Sequence, residues 1–255
     1  MERVKITPMI KIEGISKEFK EGIGSRKVKA LEDLTLDIHK GEVFGFLGPN
    51  GAGKSTAIKI LINLISPDTG HASIMGKDVM DKDTRRHCGY LPENPYFYDY
   101  LTAEELLWFG GKASGLSSNV IKERTNELLN KVNLQAARKR QLRTYSKGMV
   151  QRAGIALALI HDPDVVILDE PMSGLDPIGR KMVGDIMMEL KAQGKTIFFS
   201  SHILTDIERF CDRVGIIVSG KLRLVDRLDS LLSEASTLEE IFLREVELSG
   251  GGVEV

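Results

Sequence analysis

Gly48-Pro49-Asn50-Gly51-Ala52-Gly53-Lys54-Ser55, read as GPNGAGKS, decides the fold of this 255-residue chain. An apolar run, EVFGFLG, leads into it and reads as a buried strand; STAIKILINLI follows, with a periodicity that predicts a helix ending before Pro67. A strand, a glycine-rich turn and a helix start in that order form a phosphate cradle. Glycines let successive backbone N–H groups converge on phosphate oxygens, and the helix N-terminus adds favourable partial charge. In such a cradle Lys54 pairs with β- and γ-phosphates, the Ser55 hydroxyl ligates Mg²⁺, and Thr56 is a neighbouring phosphate donor. The pattern predicts binding of a nucleoside triphosphate.

Working outward, Val165-Val166-Ile167-Leu168-Asp169-Glu170 is an apolar strand ending in two carboxylates. Its short, β-branched character favours a doubly covered parallel strand, and ligands of parallel sheets gather at the carboxyl ends of strands. Asp169 is placed to hold Mg²⁺ through its hydration shell. Glu170, one residue on, is poised to orient the water that attacks the γ-phosphorus. An acidic turn after a buried strand is common by itself; beside the phosphate cradle it favours hydrolysis.

Around these motifs, MIKIEGI and LTLDI read as early antiparallel strands, with KEGIGSRKVK as the hairpin loop between them. From about Leu101 to Ala136 the pattern turns helical and polar, and predicts a separate helical lobe. Two further strands, TIFFSS and RVGIIVSG, follow helices, so the second half reads as α/β with a parallel sheet. The helix between VVILD and TIFFSS takes Asp176 as N-cap and Pro177 in its first turn; Ile178, Met182, Val183, Ile186, Met187 and Leu190 make its predicted apolar face.

Composition narrows the function classes. The 35 basic and 36 acidic residues give a formal net charge of −1, so there is no electrostatic footprint for nucleic acid, and none is expected as a partner. Cys88 and Cys211 have no metal-ligand spacing and point to a reducing compartment. The opening segment MERVKITPMIKIEG carries no apolar h-region, and no apolar run approaches the roughly 20 residues that span a bilayer.

With GPNGAGKST, YSKGMVQR, VVILDEP, SGLDP and SSHIL in that order, the chain from Ile10 to about Val246 resembles an ABC transporter ATP-binding subunit. The resemblance implies an α/β P-loop NTPase: a RecA-like core with an antiparallel β subdomain and a helical subdomain. Its bounds are residues 8–246, with the helical subdomain at about 94–160 and a flexible tail at 247–255.

The resemblance also assigns residues. Ser146 and Gly148 of TYSKGMVQR match the family's usual LSGGQ, which caps a helix that contacts the γ-phosphate held by the other subunit of a dimer. Tyr145, Lys147 and Met149 depart from it, although the Ser146 hydroxyl and Gly148 amide can still donate to an anion and Lys147 adds positive charge. His202 matches the switch histidine near the γ-phosphate. Asp176 matches the aspartate that passes across the dimer interface, alongside its N-cap role. Phe19 matches the aromatic that stacks on adenine, or its ring covers the β subdomain. Glu93 of GYLPE stands where the family places glutamine, facing Mg²⁺ or the attacking water with a charge. The aromatics of Pro95–Leu101 either face a membrane partner or pack the helical lobe to the core.

The implied protein is an ATPase using ATP and Mg²⁺, dimerising with a second ATP-binding subunit, itself or a paralogue, to power a separate transmembrane permease. Its place is peripheral, on the cytoplasmic face of the plasma membrane. The forms YLPE, YSKGM and DEPMSGLDP resemble export systems, with import the runner-up. A non-transport ABC ATPase would need a coiled-coil insertion, zinc cysteines or a second cassette, and a nucleotide-sensing module without turnover would lack Glu170.

Overall fold

The computed structural model describes residues 7–21, 26–234 and 237–249. Strands β1 (Ile10–Glu21) and β2 (Arg26–Ile38) pair antiparallel, so the hairpin's strands run further into KEGIGSRKVK than the sequence predicts; its tip, residues 22–25, lies outside the described residues. β3 (Val43–Leu47) then leads through the glycine turn into α1 (Lys54–Leu61). β4 (Thr69–Ile74) and β5 (Lys77–Asp78) complete an antiparallel sheet ordered β2-β1-β4-β5. A short α2 (Lys82–Arg85) precedes β6 (Cys88–Leu91).

The helical block follows: α3 (Ala103–Ala113), α4 (Ser118–Lys131) and α5 (Lys147–Leu159). Thr102 starts α3 with a reciprocal capping box to Glu105, which satisfies two otherwise orphaned N–H groups. The three helices pack on one another, and α5 also packs on β6. Leu106, Leu107, Leu128 and Leu129 belong to one buried cluster with Leu168 and Phe199 of the central sheet, and the Arg124 guanidinium donates to the Leu159 and Ile160 carbonyls at 2.7 Å. The polar faces of the block are its solvent side, and the buried cluster between its helices continues through α5 into the main core.

Then come β7 (Val165–Leu168), α6 (Pro177–Ala192), β8 (Thr196–Ser201), α7 (Leu204–Phe210), β9 (Arg213–Val218), β10 (Lys221–Arg227), α8 (Leu228–Glu234) and α9 (Leu238–Leu248). The central sheet runs β10-β9-β3-β8-β7-β6, parallel except where β10 folds back on β9. Successive side chains of a strand point to opposite faces, and here both faces are covered. Phe44, Phe46, Val165, Ile167 and Phe198 pack toward α1 and the antiparallel sheet; Val43, Leu47, Val166, Leu168, Ile197 and Phe199 pack toward the helices of the other side.

Two expectations need correction. Ile178 is 75% exposed, so the buried face of α6 is Gly179, Val183, Gly184, Ile186, Met187 and Leu190, with Met182 partly covered. In the helix's first turn, Ile178 faces the hollow that also holds Asp176. The tail expected from residue 247 does not start there, because Glu247 and Leu248 still belong to α9; residues 250–255 lie outside the described residues.

Candidate functional site

The carboxyl ends of β3, β7 and β8 are neighbours in the parallel sheet, and the loops leaving them build one cleft of about 520 Å³. From the β3 loop come Asn50, Gly51, Ala52, Gly53, Lys54, Ser55 and Thr56; from the loops after β6, β7 and β8 come Glu93, Glu170 and His202. Gly48 sits against the Ile217 carbonyl of β9, where a Cβ would collide with backbone. Gly53 has φ 106° and leaves no room for a Cβ beside the Ala30 carbonyl. That left-handed conformation admits glycine with little cost and strains any other residue.

Lys54 turns back over this loop. Its ammonium donates to the Gly48 carbonyl at 2.6 Å and the Pro49 carbonyl at 3.2 Å, and stands 3.4 Å from Glu170 Oε1. Only 6% of the residue is exposed, so the buried charge is compensated by two carbonyl dipoles and one carboxylate. Glu170 itself lies just past β7 with φ 49°, an uncommon left-handed backbone for a residue with a side chain, and its other oxygen, Oε2, is 2.9 Å from His202 Nδ1. Asp169 is buried below, 2% exposed.

Ser200 joins the two acids. Its Oγ donates to Asp169 Oδ1 at 2.6 Å and accepts from the Glu170 N–H at 2.9 Å. Sequence reading missed it: TIFFSS shows a hydroxyl near its end, but not that its strand pairs with the acidic one. Val28, Lys29, Ala30 and Ser173 of the cleft lining were missed as well. Phe19 does not line the cleft but pairs across the hairpin with Val28, which does; its ring is 42% exposed with the Lys17 ammonium 5.7 Å from its centroid.

Ser146, Gly148 and Asp176 stand elsewhere, in a second hollow of about 400 Å³ that shares no lining residue with the first. Ser146 caps α5, its Oγ accepting from the Met149 N–H at 3.3 Å, and Asp176 caps α6, accepting from the Gly179 N–H at 2.6 Å. Tyr145 reaches inward to donate to the Ala137 carbonyl at 2.8 Å, Met149 packs on the core, and Lys147 lies across Gly174. The three departures thus brace the helix start while Ser146 and Gly148 remain at the surface of the hollow.

A family model described as "ABC transporter" matches residues 31–173, more than half of the chain. The chain belongs to the ABC transporter family. Among ABC transporter ATP-binding proteins, an uncharacterized one from Synechocystis sp. is 47% identical over 230 residues, covering 89% of this chain and 65% of its own length. The chain therefore spans slightly under two thirds of that relative. The lantibiotic transport ATP-binding protein of Streptococcus pyogenes is 38% identical, with 93% of this chain and 97% of that one covered. Two solved ABC structures share the fold. An ATP-binding subunit of an ABC transporter superposes with a TM-score of 0.83 at 33% identity, over 93% of this chain and 99% of the other. A dimeric ATP-binding cassette in a post-hydrolysis state, bound to ADP and Pi, gives 0.80 at 25% identity, over 86% and 99%.

Proposed function

We propose that residues 8–246 form the ATP-hydrolysing unit of an ABC transporter, which closes with a second ATP-binding subunit around ATP and drives export through a separate transmembrane permease. The observation that carries this reading is Glu170, held in the phosphate cleft between Lys54 and His202. A carboxylate beside a phosphate cradle orients and polarises water.

The residues suit ATP with Mg²⁺. Mg²⁺ takes few protein oxygens together with phosphates, and the cleft lined by Ser55 has the buried Asp169 carboxylate next to Glu170. Ser55 and Asp169 would lend oxygens to Mg²⁺, Asp169 from beneath the cleft lining, with Glu93 exposed at its edge. When bound, Mg²⁺ and ATP supply the phosphoanhydride and the cation that neutralises developing charge. Lys54 has its ammonium where it can turn from the Gly48 and Pro49 carbonyls to phosphate. Glu170 accepts a proton from water, and His202 fixes the orientation of the Glu170 carboxylate. Phe19, on the cleft side of the hairpin, would stack on the adenine.

The separation of the two hollows supports a dimer. Ser146, Gly148 and Asp176 share no hollow with Lys54, and the N-terminus of α5 is suited to an anion brought by another subunit. ATP would then bridge the subunits, its γ-phosphate distinguishing closed from open, and hydrolysis would remove the bridge. The relative named for lantibiotic transport supports a transport role, and the forms YLPE, YSKGM and DEPMSGLDP favour export over import. Tyr96, Tyr98 and Tyr100, exposed by 97%, 63% and 59%, offer an aromatic surface to the permease at the cytoplasmic face of the membrane. Among the described residues no helix is long and apolar enough to cross a membrane. Glu170→Gln tests the reading: it should nearly abolish turnover and trap an ATP-dependent dimer in gel filtration. A variant with the parental rate would sink it.

A further inference from the structure

Arg180 and Asp206 form an ion pair outside the phosphate cleft. The Arg180 Nη2 donates to both Asp206 oxygens, at 3.0 and 2.9 Å, and only 9% of the Asp206 side chain is exposed. What matters is where the partners sit. Arg180 closes the first turn of α6, its backbone N–H bonded to the Asp176 carbonyl at 2.9 Å. Asp206 lies in the first turn of α7, four residues after His202, its N–H on the Ile203 carbonyl at 3.3 Å. The pair therefore ties the turn that carries Asp176 to the turn that carries His202.

Two further contacts make this tie stiff. Gly184, one turn along α6, has the Phe210 ring against its Cα so closely that a Cβ would collide with it, which fixes α7 against α6. On the other side, the Ile203 N–H donates to Ser201 Oγ at 2.9 Å, which fixes the exit of β8 around His202. A rotation of the α6 start would therefore drag α7 and alter the 2.9 Å contact between His202 and Glu170.

We propose that Arg180 is a positioning residue: through Asp206 it makes the placement of His202 against Glu170 depend on the placement of the Asp176 turn. This rests on the catalytic reading of Glu170 and His202 above. It gives the surface holding Asp176 a mechanical route into the cleft of its own subunit, so that a partner pressing on that turn would set how well water is oriented.

The experiment compares the full chain with Arg180→Ala, Arg180→Lys, Asp206→Asn and the swap of Arg180→Asp with Asp206→Arg. Amide hydrogen exchange is read at 176–182 and 201–208, and ATPase kinetics alongside. We expect Arg180→Ala to speed exchange in both segments, leave β3 unchanged, and lower kcat by about tenfold to a hundredfold with KM within twofold, since small misplacements of a catalytic group cost rates of that order. Arg180→Lys and the swap should each recover part of the loss. Faster exchange at 176–182 with 201–208 unchanged, or kcat within twofold of the parent, would overturn the proposal, leaving the pair a staple of the fold. Parental turnover in a parallel Glu170→Gln sample would instead sink the catalytic reading, while the exchange data still decide whether the two turns are linked.

Discussion

His202 Nδ1 stands 2.9 Å from Glu170 Oε2, and the other oxygen of the same carboxylate faces the Lys54 ammonium at 3.4 Å. One carboxylate is thus held from both sides, by a half-exposed imidazole and a buried cation. If His202 orients Glu170 and does not hold nucleotide, His202→Ala should lower kcat by about 10²-fold, the scale of a positioned acid–base group, with little change in ATP affinity. Steady-state ATPase rates beside equilibrium binding of a fluorescent ATP analogue check this. A loss confined to affinity would assign the imidazole to binding.

Ser200 makes a second prediction. Its buried hydroxyl serves Asp169 and the Glu170 N–H together, so Ser200→Ala leaves a buried donor without its acceptor, a penalty of about 1–3 kcal/mol. Urea unfolding should show that loss. Asp169, released from the hydroxyl, should also turn more freely, and the Mg²⁺ concentration needed for half-maximal ATPase activity should rise. Unchanged stability and unchanged Mg²⁺ dependence would reduce Ser200 to a bystander.

The phosphate turn predicts unequal costs for glycine changes. Gly53→Ala must hold a side chain at φ 106° against the Ala30 carbonyl, while Gly51, with open space around it at φ 77°, meets strain alone. A strained backbone costs about 1–3 kcal/mol, so Gly51→Ala should lose stability in that range and Gly53→Ala more. Thermal unfolding compares them. Equal losses would show that the loop shifts away from Ala30 at no cost.

These particulars show where sequence is legible. GPNGAGKS and VVILDE could be read as strand ends facing one site because a parallel sheet gathers the carboxyl ends of its strands, whatever their order. Ser200 could not, since its importance comes from standing beside β7, and neighbours across a sheet leave no mark on sequence spacing. The helical block was legible from its charged faces, since α3 and α4 pack on each other and on α5; that α5 carries the buried cluster on to the sheet leaves no mark on sequence spacing. Ile178 fits a helical period but stands exposed at the hollow that holds Ser146 and Asp176, so periodicity overreached by one position. Tyr145 is the reverse case: a departure from a familiar motif that the Ala137 carbonyl explains.

The aromatic run divides between core and surface. Phe97 packs on the core against Gly154, while Tyr98 and Tyr100 stand exposed with ring centroids 5.7 Å apart. Tyr98→Ser with Tyr100→Ser should keep the ATPase rate of the isolated chain within about twofold, as exposed substitutions away from a site have small effects. Recovery of the chain with the membrane fraction should fall. Undiminished recovery would move the permease contact to another surface.

The two thiols give a pH prediction. Burial pushes Cys88 up to about 12, with the Asp164 carboxylate adding to it, and burial holds Cys211 well above its ordinary value. Thiolate is the reacting form and an unfolded cysteine ionises near 8.5, so both should label slowly with maleimide at pH 8 and rapidly in urea. The sign for stability follows from the same shift. Below about pH 8.5 both folded and unfolded chains keep the thiol proton; above it the unfolded chain releases the proton first, so stability falls as pH rises toward 12. Replacing Cys88 with alanine, which also removes its contact to the Thr84 carbonyl at 3.3 Å, should flatten that alkaline decline in urea titrations between pH 8 and about 10.5. A decline of parental steepness in Cys88→Ala would place its origin in other groups.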